Sequence, residues 1–85
     1  MNHSQHTLSR EEVLALQYEV CYQGEYGIKY GKCALTGANG LIPVYPIDKH
    51  FDRVADSFAI TCNDPTVRVF IPIHRIYSFT EIKQP

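Results

Sequence analysis

The segment TVRVFIPIHRIYSFTEI, residues 66–82, decides the fold. Val67, Val69, Ile71 and Ile73 alternate strictly, the pattern of a strand with one buried face. His74 and Arg75 then break the phase, and the next apolar residue, Ile76, comes three positions after Ile73. A spacing of three is what a single 3₁₀ turn supplies. A second β-rich run, residues 76–82, begins there. Strand, one tight turn and strand again is how a small barrel closes on itself. Each aliphatic fully buried in such strands contributes roughly 1.5–3 kcal/mol.

Working outward, Ser9 and Glu12 make an S-x-x-E capping box, with Leu8 and Val13 placed as a hydrophobic staple. The apolar spacing of Val13, Leu16 and Val20 predicts a helix over 10–21, stopped by Gly24, although Val20, Cys21 and Tyr22 suit a strand equally well. Residues 26–36 read as a strand bent at Gly27 and Gly31, and 37–40 as a turn. Residues 41–45 form a short strand that Pro43 and Pro46 place on an edge. A longer connection over 46–56, with a helical turn at 48–53, leads to a strand at 57–62 and a tight turn at Asn63-Asp64-Pro65. The expected fold is α+β, mainly β. An N-terminal helix precedes a five-stranded Sm-like or SH3-like barrel whose last two strands are joined by a 3₁₀ turn. Residues 9–83 make a single domain behind a disordered polar tail at 1–8.

The chain has 85 residues, 45% apolar and 20% charged, a globular balance rather than a disordered one. Its net charge of −1, with interspersed signs, lacks the basic stripe usual for phosphate binding. No apolar run suggests a signal or a membrane span, and Cys21, Cys33 and Cys62 are odd in number and scattered. These features point to a cytoplasmic protein with reduced thiols. The cysteines, with His50 or His74, lack the paired spacing of a zinc site. Asp48, Asp52 and Asp56 alternate with Lys49 and Arg53, which suggests a solvated, salt-bridged face rather than acid–base chemistry. Neither a nucleophile elbow, a phosphate loop nor a metal motif is present, so no enzyme, metal or cofactor is expected.

Six tyrosines stand out, four of them (Tyr18, Tyr22, Tyr26, Tyr30) spaced by four. Tyr26, Tyr30, Tyr45 and Tyr77 near Lys29, Lys32 or Arg75 would suit base stacking, or else simple core filling with wet hydroxyls. His74 and Arg75 at the turn, with Arg68 upstream, offer donors for a phosphate or carboxylate, or else solvated turn residues with Arg75 paired to Glu81 or Asp64. The candidate binding residues are therefore His74, Arg75, Arg68, Lys29, Tyr26, Tyr30, Tyr45 and Tyr77.

Phe58-Ala59-Ile60-Thr61, Thr66-Val67-Arg68-Val69 and Ile73-His74-Arg75-Ile76-Tyr77-Ser78-Phe79 resemble the C-terminal half of the Rof family. Those small bacterial proteins bind transcription termination factor Rho and inhibit termination. The resemblance covers about 25 residues and implies a non-enzymatic adaptor acting by protein–protein contact. The closing Arg-Ile is similar to that of WYL domains. Ile71-Pro72-Ile73-His74-Arg75-Ile76 is similar to the signature of a domain proposed to recognise RNA cyclic phosphate ends, which would make His74 and Arg75 the telling residues. The chain departs from both models: it lacks the acidic N-terminal segment of the first and the tryptophan of the second. The expectation is a protein-docking regulatory module, monomeric or weakly dimeric through the helix stripe. The alternative is an RNA-binding barrel that stacks bases on tyrosine.

Overall fold

The computed structural model describes residues 7–34 and 39–82. Its elements are α1 (Arg10–Leu14), β1 (Tyr18–Gly24), β2 (Gly27–Cys33), β3 (Leu41–Asp52), β4 (Ser57–Thr61), β5 (Val69–Pro72), a 3₁₀ turn (Ile73–Arg75) and β6 (Ile76–Glu81). The strands pair antiparallel in one sheet of order β4-β3-β2-β1-β6, with β5 on β3. The protein is thus mainly β. The expected five strands are six, and the sheet is not closed. Of the polar tail expected at 1–8, residues 1–6 lie outside the described residues, and Leu8 packs against an apolar cluster.

The helix starts as its cap dictates. Ser9 Oγ accepts from the Glu12 N–H at 3.1 Å, and the Ser9 N–H donates to Glu12 Oε1 at 2.8 Å. It ends at Leu14 instead of 21, with Ala15 as its C-cap. Tyr18, Val20 and Tyr22 also fit a period of two, and here they form β1, laddered to β2 on one side and β6 on the other. Two hydrogen-bonded neighbours and a β-prone composition outweigh the helical spacing. This strand is the sixth. Gly24 consequently ends a strand rather than a helix, and Gly27, at φ 133°, turns the hairpin.

The second departure is β3. The expected short edge strand and the helical turn at 48–53 are one strand of 12 residues. Residues 41–44 pair with β5, 45–47 with β2 and 48–52 with β4. Each stretch therefore has a partner on one side, which is why Pro43 and Pro46 are tolerated without an N–H to donate. Asp52 Oδ1 accepts from the Val54 N–H at 3.0 Å in the turn that follows, where Asp56 sits at φ 54°.

The strand expected from Val67 to Ile73 is shorter. The Val67 N–H donates to the Asp64 carbonyl at 3.2 Å, so Val67 belongs to the preceding turn, and Ile73 opens the 3₁₀ turn, 58% exposed. The tight corner itself stands where the spacing placed it, and the Ile73 N–H ties it to the Gly40 carbonyl at 3.0 Å.

Two apolar clusters lie on opposite faces of the sheet. Val20, Tyr22, Cys33, Ile42, Val44 and Ile71 form the first, edged by Tyr18, Val69, Ile76 and Phe79. The second joins Val13, Ile47 and Cys62 with Leu8, Leu14, Tyr30, Tyr45 and Ile60. α1 covers this second face, held by Arg10, whose Nε donates to the Cys62 carbonyl at 3.0 Å and Nη2 to the Asn63 carbonyl at 2.8 Å.

Candidate docking surface

The eight candidate residues do not form one site. Tyr22 pairs with Lys29, and Tyr30 with Cys21 one position away, so Tyr22 and Tyr30 point to opposite faces. Tyr22 is buried, Tyr30 half-buried beneath Lys49, whose Nζ stands 5.0 Å from the ring centroid, and Tyr26 projects from the hairpin tip, 90% exposed. The regular spacing of the tyrosines thus spreads them over both faces and a turn. They make no continuous stacking platform.

Of the other candidates, Tyr45, Arg68, Lys29 and Tyr77 line three surface clefts, and His74 and Arg75 line none of the three. Tyr45 and Arg68 line one of about 570 Å³ with Leu8, Thr66 and Phe70, and the Arg68 guanidinium lies 5.3 Å from the Phe70 centroid. Tyr22, Lys29 and Tyr30 line another of about 210 Å³ together with Asp48 and Asp64. Asp64 accepts from the Thr66 hydroxyl at 2.6 Å and its N–H at 3.0 Å, which holds its carboxyl below the usual range.

The third cleft, about 330 Å³, is apolar and lies at the corner read from the sequence. Ile42, Ile73, Ile76, Tyr77, Ser78 and Phe79 line it. Consecutive residues of one strand alternate between faces, so 76–79 can share a cleft only where it runs along the strand's edge. That edge is open, since among the described residues β6 pairs with β1 alone. Tyr77 is steadied by its hydroxyl, which donates to Gln23 Oε1 at 2.9 Å. His74 and Arg75 are exposed in the adjoining turn, and neither is in an ion pair among the described residues. An apolar groove, an open strand edge, an imidazole and a guanidinium therefore meet at one corner.

Two other features involve none of the eight candidates: an exposed aromatic pair, and Lys32, expected beside stacking tyrosines but buried. Phe51 and Phe58 stack edge-to-face at 5.4 Å on the β3–β4 ribbon, both at least half exposed. Lys32 is 2% exposed in the register between Glu19 and Tyr45, on the face that α1 covers. Burial pulls its pKa below the ordinary 10.5, against the opposing pull of Glu19. The unfolded chain then holds more protons than the folded one from the depressed value up to 10.5, so stability climbs with pH across that window. Lys32→Met is expected to raise the unfolding free energy at neutral pH by about 1 kcal/mol and to flatten that climb. Urea titrations at neutral and alkaline pH measure both. An unchanged alkaline slope would refute the assignment. Tyr22 acts with the opposite sign: burial raises its pKa above 10.0, so its ionisation in the unfolded chain lowers stability beyond that pH.

No known protein family, curated protein or solved structure matches this chain.

Proposed function

We propose that the protein is a non-enzymatic regulatory module that docks a protein partner at the corner formed by the 3₁₀ turn and β6. The supporting observation is the apolar groove of Ile42, Ile73, Ile76, Tyr77 and Phe79 along an open strand edge, with His74 and Arg75 beside it. Its best occupant is an extended segment that adds a strand to β6, seats alternate apolar side chains in the groove and brings a carboxylate to Arg75. The Sm-like or SH3-like barrel expected from the sequence takes its five strands from β2, β3, β4, β5 and β6, with the 3₁₀ corner before the last. Within that reading the Rof resemblance makes Rho the first partner to try. The cytoplasm is the compartment it implies.

The RNA alternative needs tyrosines on one basic face, and Tyr22 and Tyr30 point apart. The protein reading is tested by titrating immobilised wild type and Ile73→Glu with purified Rho and with lysate fractions at two salt concentrations. Ile73 is exposed, so the substitution leaves the core intact. Loss of affinity by at least about tenfold for a partner captured by wild type is expected, as for a central apolar anchor. Equal capture by both proteins, or binding only to single-stranded oligonucleotide with a steep salt dependence, would overturn the proposal.

A further inference from the structure

The β3–β4 ribbon carries a second open edge. β4 pairs with β3 only, and among the described residues no other backbone hydrogen bond reaches 57–61. The sequence of β4, SFAIT, has no charge, proline or glycine, so it carries none of the devices that keep an edge strand solitary. Beyond Ile47, β3 has no partner but β4. A two-stranded ribbon of this kind is marginal by itself in water. Phe58 is nevertheless 63% exposed on it, beside Phe51 at 50%.

We infer that β4 pairs with β4 of a second copy of this chain, antiparallel across a two-fold axis at Ala59. The residues are self-complementary in that register. Phe58 falls opposite Ile60 of the second copy on the face that carries Phe51, and the pair occurs twice, an aromatic ring against a β-branched side chain. Ser57 falls opposite Thr61, two hydroxyls facing each other, again twice. Asp56, in the turn just before β4, comes at the end of the pairing where the Cys62 carbonyl of the other copy holds its Arg10 guanidinium at 3.0 Å. The exposed Asp56 carboxylate of each copy thus meets the Arg10 cation of the other. Arg10 also occupies the Asn63 carbonyl, which limits the open edge to β4 itself. The contact is therefore isologous and closes at two copies instead of growing into a fibre. It lies on a different strand from the β6 groove and stands or falls independently of it.

Sedimentation equilibrium of the full chain from micromolar to millimolar concentration tests this. A reversible monomer–dimer equilibrium is expected, weakened at least about tenfold by Phe58→Lys and by Thr61→Lys, both on exposed positions. Circular dichroism checks that each variant keeps its β signal. Mixed Ser57→Cys and Thr61→Cys chains are expected to form a disulfide under mild oxidation, whereas Ser57→Cys alone does not. A wild type that stays monomeric overturns the inference. So does a dimer unaffected by both lysine variants, or one in which the mixed cysteine chains fail to cross-link.

Discussion

Gly31→Ala is expected to destabilise the protein by about 3 kcal/mol, the upper end of the usual overpacking cost. A methyl group at this position would overlap Val44 Cγ1 and lie 3.0 Å from the Tyr45 carbonyl oxygen, with Tyr22 Cε1 at 3.5 Å. None of these neighbours yields easily. Val44 is fully buried and β-branched, the carbonyl belongs to the β2–β3 ladder, and Tyr22 is 5% exposed in the same cluster. Gly31 pairs with Pro46, so β2 and β3 approach here without a donor on one strand or a side chain on the other. The backbone of Gly31 is not in the left-handed region, and its role is close approach rather than conformational freedom. Against a total stability of roughly 5–15 kcal/mol, such a loss is large. Urea unfolding of wild type and variant measures it, and a cost below about 1 kcal/mol would refute the packing argument.

The parts of the fold that the sequence reading recovered are those set by local chemistry. The Ser9–Glu12 cap, the Ile73–Arg75 corner and the β4 strand each follow from a few adjacent residues, and each stands where the residues put it. The misread parts were decided by partners distant in sequence. Residues 18–22 satisfy a helical period and a strand period equally, and the choice between them lies with residues 27–33 and 76–81, which supply ladders on both sides. Pro43 and Pro46 argued for a short edge strand because a proline cannot serve a strand paired on both sides. β3 satisfies the same rule by changing partner along its length.

The same division holds for the proposed docking corner. His74 and Arg75 are legible because a turn between strands exposes its residues, and Tyr77 because a tyrosine near a cation suits stacking. Alternation predicts a buried face for Ile73, yet the 3₁₀ turn rotates it outward and makes it the exposed lip of the groove. Phe51 and Phe58 fell respectively in a stretch read as a connection and in a strand read as barrel wall. Their pairing on a projecting ribbon required the β3–β4 register.

Val44→Ala, the partner substitution to Gly31→Ala, is expected to cost about 2 kcal/mol by itself, since it removes two methyl groups from a fully buried site. Combined with Gly31→Ala it is expected to cost less than the sum, because the Val44 methyl that the added Cβ would overlap is one of those removed. The new Cβ at position 31 fills part of the space vacated at 44, so the cavity and the clash largely cancel across the strand pair. The Tyr45 carbonyl still crowds the new side chain at 3.0 Å, which leaves the double variant less stable than wild type. A double-mutant cycle by urea unfolding should return a favourable coupling of about 1–2 kcal/mol. Additive costs would mean that the strain of Gly31→Ala resides in the β2–β3 backbone approach alone, with Val44 free to turn aside.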